Sequence, residues 1–504
     1  MRASRNVSLA ALVSVGLLAA CSGGGSITDS PSPTTAAPGT TTATGGSSAT
    51  TTPGTQATTT TVAADTLPDC PVDALASITK PVTITFWHGM SGPLKDSLTK
   101  LTDAYNKSQT KVKVKLVGDS YENTADNYYQ ASAGNRPDLV QLPEYQVQAM
   151  IDTKTTVPAS KCIAASNFDT SKFLPSGLAA YASQGVQWSI PFNISNPVLF
   201  YNKKAFAKAG LDPNKPPASL DEMRADSAKI VQTKASTYGL ALESGFDSGG
   251  GWYVEQWFAK AQQFYLDGQN GRQARATKVL YNDSTGVQLL TFLQKMLTDK
   301  LAVDVGDNTT TGYDNLLKLA DKTQPAAMTI ATSASLGPVL QVLAGGQFPN
   351  ILPNDVGVGP MPGPDGKPGA LIGGASLWVV DSGDKARTAA TWDFIQYLTG
   401  AQQQSTWATE TGYIPVRSDA LGLEPYKSTI AKDPRFAVAG AQLAASPDAP
   451  TSAGPVTGPL REVRTVLAKA VAAIFKGGDV KKALDAAASQ ADGLIADYNA
   501  RNTG

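Results

Sequence analysis

The chain has 504 residues, with 42 Lys and Arg balanced by 42 Asp and Glu. That balance excludes the basic stripe with which a nucleic-acid binder neutralises phosphates, and a polybasic membrane patch with it. A single histidine, His88, rules out multi-histidine zinc and iron sites and leaves any Ser-His-Asp or Cys-His mechanism one residue to run through, so no cofactor, resident metal or catalytic group is expected.

At the N-terminus, Arg2 and Arg5 precede a largely apolar run, Val7 to Ala20. It is shorter than the roughly 20 residues a membrane-spanning helix needs. The run ends Leu18-Ala19-Ala20-Cys21 and continues Ser22-Gly23-Gly24. Small residues before a cysteine suit a signal-peptidase groove and resemble a bacterial lipobox. Residues 1–20 are expected to be a lipoprotein signal peptide and Cys21 the lipidated residue, anchoring the protein to the outer face of the cytoplasmic membrane without spanning it. The alternative is a plain secretory signal with an incidental cysteine. Residues 21–66 are dominated by Thr, Ser, Gly, Ala and Pro. Such a composition cannot offset its ordering entropy, so a disordered tether with a coil span of about 35–40 Å is expected. Cys70 and Cys162 remain; an even pair in an oxidising compartment predicts a disulfide, with two separately buried thiols as the alternative.

The body alternates strand and helix signals. Val82 to Phe86 has period two, the mark of a half-buried strand. Pro93 opens a helix with Leu94, Leu98, Leu101 and Tyr105 on one face. Lys111 to Val117 alternates lysine with apolar residues, and Asp138 to Leu142 reads as a short apolar strand. This order implies an α/β fold with a parallel or mixed sheet. Pro362 to Gly366 reads as a hairpin-like loop between two β stretches, and Leu484, Ala488, Ala491, Leu494, Ile495 and Tyr498 form a helical stripe.

Open α/β sheets bind ligands beyond the carboxyl ends of their strands. The first three strand signals are followed by Trp87-His88-Gly89, Ser120-Tyr121-Glu122 and Pro143-Glu144-Tyr145. An aromatic, a phenol and a carboxylate are thus delivered to one rim. His88 is expected to be structural.

The segments ITFWHGMSGPL (84–94), PFNISNPVLFYNKKAFAKAGLDP (191–213), AAMTIATSASL (326–336), LIGGASLWVV (371–380) and TGYIPVRSDA (411–420) resemble the extracellular solute-binding lipoproteins of ABC importers. They are similar to the maltose-binding-like family 1, and within it to the Ugp-type branch that binds glycerol-3-phosphate and glycerophosphodiesters. The resemblance implies a class II periplasmic-binding-protein fold: two α/β lobes joined by a hinge, with the ligand in the cleft. It implies a monomer that passes its ligand to the importer's membrane subunits and is not an enzyme. Lobe I is expected over 67–192 and 334–380, and lobe II over 193–333 and 381–504. The crossings fall near Pro191–Asn196 and Thr329–Ser335.

Position by position, the resemblance assigns phosphate contacts to Tyr121, Ser195, the backbone N–H of Gly374, Tyr413, and Arg464 as a bidentate partner. Glu144 would accept from glycerol hydroxyls, Trp252 would stack on the carbon skeleton, and Thr332 and Ser333 would stand for the family's hydroxyl pair. The region Ser244 to Trp252 departs from the family's two tryptophans, with Phe246 in place of the first and a run of glycines, Gly249 to Gly251. That change favours a glycerophosphodiester, whose choline-like cation would meet Trp252, Tyr253 or Trp257. Arg461, one turn before Arg464, could exchange roles with it. A sugar or oligosaccharide ligand is the alternative.

Overall fold

A computed structural model describes residues 67–308 and 312–502. The expected signal peptide, the lipidation site Cys21 and the tether over 21–66 lie outside the described residues. Strand β1 (Val82–His88) turns Ile84, Phe86 and His88 inward. Its neighbour β2 (Val112–Gly118) buries Val112 and Val114 and leaves Lys113 and Lys115 to solvent, as period-two patterning requires. Between them α1 (Gly92–Ser108) carries Pro93 in its first turn and buries Leu98, Leu101 and Tyr105. Helix α2 (Tyr121–Gln130) follows β2 and leads to β3 (Leu139–Pro143).

The other strands of the two main sheets are β4 (Thr156–Val157), β5 (Ile190–Ser195), β6 (Pro197–Asn202), β7 (Tyr238–Leu242), β8 (Ala302–Asp304), β9 (Ala326–Thr332), β10 (Val356–Pro360) and β11 (Gly373–Val380); Ala182–Ser183 and Val186–Gln187 form a small separate antiparallel pair. The first sheet runs β2-β1-β3-β11-β4, with β5 also paired to β11, and the second runs β8-β7-β9-β6-β10. In the first, β1 is parallel to β2 and β3, whereas β11 is antiparallel to β3. Two apolar cores form, one around the first sheet that also takes in Val198, Phe200, Ala331 and Val356 of the second, the other on the second sheet, and the molecule is a two-lobed α/β protein. Cys70 and Cys162 are joined by a disulfide, tying the segment ahead of β1 to the helix Ala159–Ser166.

Only Asn196 separates β5 of the first sheet from β6 of the second. Its side chain is pinned, donating to the Ala439 carbonyl at 2.9 Å and accepting from Gln442 at 3.1 Å. The second crossing follows β9: the Ser333 N–H returns to the Asn196 carbonyl at 2.9 Å, and Leu336 joins the first core.

Three stretches depart from the expected division. Residues 193–195, assigned to the second lobe, complete β5 and pair with β11 in the first sheet. Strand β10, assigned with 334–380 to the first lobe, pairs antiparallel with β6 in the second sheet, Val356 opposite Asn202. The Pro362–Gly366 loop is therefore a crossing between sheets and no hairpin. Residues 381–504 were assigned to the second lobe, yet helix α4 (Lys385–Leu398) packs on the first sheet. Phe394 meets Phe86 edge-on at 6.1 Å, and Asp393 accepts from the Tyr105 hydroxyl at 2.5 Å. Helix α5 (Ala401–Thr411) follows it, and its Trp407 stacks on Phe192. The chain joins the second core from Leu460 onwards, through α6 (Leu460–Phe475) and α7 (Val480–Asn502).

Candidate functional site

The rim of the first sheet is built by a relay of amides. Gln141 on β3 accepts the Gly89 N–H at 2.9 Å and donates to Oδ1 of the Asn193 side chain at 2.7 Å. Asn193, on β5, donates in turn to the Tyr121 hydroxyl at 2.7 Å. The Tyr121 ring lies over Gly89, where a Cβ would stand 2.2 Å from it; the residue after His88 has to lack a side chain for this phenol to sit at the rim.

Tyr413 reaches the same amide from the other side. Ile414 donates its N–H to the Ile194 carbonyl at 2.9 Å, and the Tyr413 ring stacks on Trp407 at 5.7 Å. Burial raises the pKa of Tyr413, with Tyr121 and Asn193 beside it acting the opposite way. Burial likewise pushes the Tyr121 phenol well up, and Tyr413 adds to the shift. Both are therefore neutral O–H groups that can donate. Tyr181 joins them, with a buried hydroxyl that has no hydrogen-bond partner among the described residues. Across the ladder, Gly373 faces Ser195 and Gly374 faces Ile194. Gly374 has φ +96°, and a Cβ there would stand 1.9 Å from the Asn193 carbonyl oxygen. No other residue fits.

The second lobe contributes Trp252 at the start of helix α3 (Trp252–Lys260), which precedes α4 in the chain. Its ring occupies the space a Cβ on Gly373 would need, 2.3 Å away. One turn on, Glu255 takes both arms of Arg464: Nε to Oε1 and Nη2 to Oε2, each 2.7 Å. Nη1 donates to Glu144 at 3.0 Å, and the guanidinium lies 5.3 Å from the centre of the Tyr145 ring. Burial works against the charge of Arg464, but the two carboxylates more than offset it and hold its pKa above the ordinary arginine value. Burial raises Glu144 and Glu255, and Arg464 opposes it in both. Arg461 is instead paired with Asp126 at 2.8 Å.

Next to Trp252 opens a cavity of about 590 Å³. Trp252 and Thr332 line it, together with Phe246, Tyr253, the carboxylates Glu122, Glu243, Asp247 and Asp307, and a single lysine, Lys469. Ser333 is buried beside this wall, its Oγ without a hydrogen-bond partner among the described residues. The structure thus gathers Tyr121, Ser195, Gly374 and Tyr413 around β5, and joins Glu144 to Arg464. It places Trp252 and Thr332 on the cavity. Gln141, Asn193, Tyr181, Glu243 and Glu255 were not singled out from sequence. Asn193 lies inside the PFNIS motif, and Glu255 follows Trp252 at helical spacing; those were the available signals. His88 ends β1 fully buried, accepting the Met90 N–H at 3.2 Å. Among the described residues no group of His, Cys, Asp or Glu is placed to hold a metal, and no helix is long and apolar enough to cross a membrane.

Residues 100–438 match the family of bacterial extracellular solute-binding proteins. The chain is 31% identical over 421 residues to the sn-glycerol-3-phosphate-binding periplasmic protein UgpB of Pectobacterium atrosepticum, covering 82% of this chain and 91% of that one. It is 31% identical to the protein of the same name from Yersinia enterocolitica, covering 83% and 93%. Among solved structures it resembles UgpB from Mycobacterium tuberculosis in complex with glycerophosphocholine, with TM-score 0.68, 21% identity and coverage of 83% and 99%. It also resembles the cyclic alpha-maltosyl-1,6-maltose binding protein from Arthrobacter globiformis, with TM-score 0.66, 22% identity and coverage of 82% and 99%.

Proposed function

The chain belongs to the bacterial extracellular solute-binding proteins, and on that footing we propose that it captures glycerol-3-phosphate or a glycerophosphodiester between its lobes and delivers it to an ABC importer. What supports this reading is the convergence of neutral donors beside a buried arginine. Tyr121 and Tyr413 meet at Asn193, next to Ser195 and the Gly373-Gly374 backbone. In this reading the phosphate takes the two phenols, the Ser195 hydroxyl and the Gly374 N–H. Arg464 spends three N–H groups on Glu255 and Glu144 and, of the five a guanidinium carries, keeps two for the phosphate. The second oxygen of Glu144 accepts from a glycerol hydroxyl, Thr332 and Ser333 add hydroxyls, and Trp252 covers the carbon skeleton.

A micromolar complex needs about −8 kcal/mol, which a few charge-assisted bonds and one stacked ring supply. The roomy, aromatic-lined cavity also favours a second reading, a sugar or oligosaccharide, of the kind named for the Arthrobacter protein. Calorimetry with glycerol-3-phosphate, glycerophosphocholine, maltose and trehalose separates the two. Binding of a phosphate compound and silence from the sugars is the expected result; the reverse would sink the proposal. The protein acts as a monomer held at the outer face of the cytoplasmic membrane by lipid on Cys21. Cys21→Ser should release it into the medium or periplasm, and retention at the membrane would overturn that anchor.

A further inference from the structure

Tyr181 is used by neither the amide relay nor the phosphate contacts. It is 0% exposed, and its hydroxyl has no hydrogen-bond partner among the described residues. The helix Pro175–Ala180, which ends at Tyr181, packs on β5, where a Cβ on Gly177 would stand 3.7 Å from Pro191 and Ile194. Burial raises the pKa of the Tyr181 phenol, and Glu144 and then Tyr413 add to the shift. After burial and Tyr413, Tyr181 also acts on Tyr121. Its hydroxyl is therefore a neutral donor in the company of Glu144 and both phenols of the relay. The backbone around it is fixed from the other lobe. Arg272, between Leu266 and Ala276 of the second core, donates to the carbonyls of Ala179 at 2.9 Å, Ala180 at 3.4 Å and Ala182 at 3.1 Å. Its remaining N–H groups reach Gly454 at 2.7 Å and Ala453 at 2.5 Å, so all five are spent on backbone.

A buried O–H without an acceptor costs stability until something fills the place. The neighbouring charge decides what can fill it. Glu144 only accepts and would repel an anionic oxygen, whereas an alcohol donates to the carboxylate and accepts from the phenol at once. We infer that Tyr181 is a further specificity-determining residue, its hydroxyl donating to a ligand alcohol that Glu144 holds by the proton. The class selected is the phosphate ester of a polyol, against that of an alcohol with no further hydroxyl. This inference rests on the glycerol-phosphate reading, and adds to it a requirement placed on the carbon end of the ligand.

The test is calorimetry with glycerol-3-phosphate and n-propyl phosphate, which keeps the phosphate and the three carbons but lacks both hydroxyls. The weaker ligand is read by its competition with the stronger. Tyr181→Phe should weaken glycerol-3-phosphate at least about fivefold and n-propyl phosphate by less than about twofold. The melting temperature of the ligand-free variant should equal or exceed that of wild type, since the change removes an unsatisfied donor. Equal losses for the two ligands would put Tyr181 on the phosphate, and unchanged affinities would take it out of the site; either overturns the inference and leaves the proposed function standing. A variant that melts lower or does not fold would show the hydroxyl already bonded in the empty protein, and overturns it likewise. Wild-type protein that binds neither glycerol-3-phosphate nor n-propyl phosphate overturns the proposed function and the inference with it.

Discussion

Arg464 reaches across the lobes to Glu144, its Nη1 3.0 Å from a carboxylate oxygen at the end of β3. The same guanidinium is clasped by Glu255 in its own lobe; Arg464 and Glu255 lie out of solvent, while Glu144 is partly exposed. The arginine is thus a structural ion and a candidate ligand contact together, and the two roles can be separated.

Arg464→Ala should abolish phosphate-ligand binding and lower stability by about 3–5 kcal/mol, because the buried Glu255 and the partly buried Glu144 lose their partner. Arg464→Met combined with Glu255→Gln should recover much of that stability without restoring binding. Urea denaturation and calorimetry on the same samples read the two effects. Unaltered affinity in Arg464→Ala would remove the residue from the site.

Asn193→Leu cuts the relay from Gln141 to Tyr121 and leaves the Gln141 amide buried without its acceptor. A loss of about 1–3 kcal/mol in stability is expected. Ligand affinity should fall at least tenfold as Tyr121 loses its fixed orientation. An affinity equal to wild type would show that the phenol is held by packing alone.

His88 is the chain's one histidine, so its imidazole gives a single titrating NMR signal once any tag is removed. Burial, helped by Lys95, lowers its pKa to about 4. The folded protein refuses a proton that the unfolded chain accepts near pH 6.5. Its contribution is complete above pH 6.5, is lost progressively as pH falls from 6.5 to 4, and amounts to about 3 kcal/mol at most. An imidazole titrating near 6.5 in the folded protein would contradict this placement.

Burial, with Asp247 adding to it, raises Glu243 to about 7. The groups facing it are Asp247, Ser248, Tyr253, Asn308 and Asn315, with Glu122, Asp307 and Lys469 around the same cavity. The folded protein therefore holds a proton that the unfolded chain releases near the ordinary glutamate value, and stability should fall as pH rises from about 4.5 to about 7. Glu243→Gln should flatten that part of the stability profile in urea denaturation. A profile unchanged by the substitution would refute this placement of Glu243.

Much of the first lobe was legible in the sequence. Val82–Phe86, Lys111–Val117 and Asp138–Leu142 appear within one or two residues of the expected strands, because period-two patterning on a half-buried sheet is a strong signal. Pro93 marked the start of α1 for the same local reason. What periodicity cannot carry is the identity of the partner. Helix α4 buries Ala389, Ala390, Trp392, Phe394 and Ile395, which requires a cover but does not say which sheet supplies it. Strand β10 was misassigned likewise, since Val356 and Gly357 read as β in either lobe. Around the site, the phenols and glycines stood in recognisable motifs. Glu255 reads as a solvated helix acid, and only the fold shows Arg464 closing on it.

The single-residue link at Asn196 sets the lever arms of the molecule. A group beside a fulcrum travels little when the two halves swing, so Ser195 and its partners on β5 and β11 serve as a stationary seat. Trp252 and the carboxylates beyond it ride on the moving half. Under the proposed function, a phosphate would first meet the hydroxyls and backbone N–H of that seat, and Arg464, carried on the other half, would reach it only as the halves close.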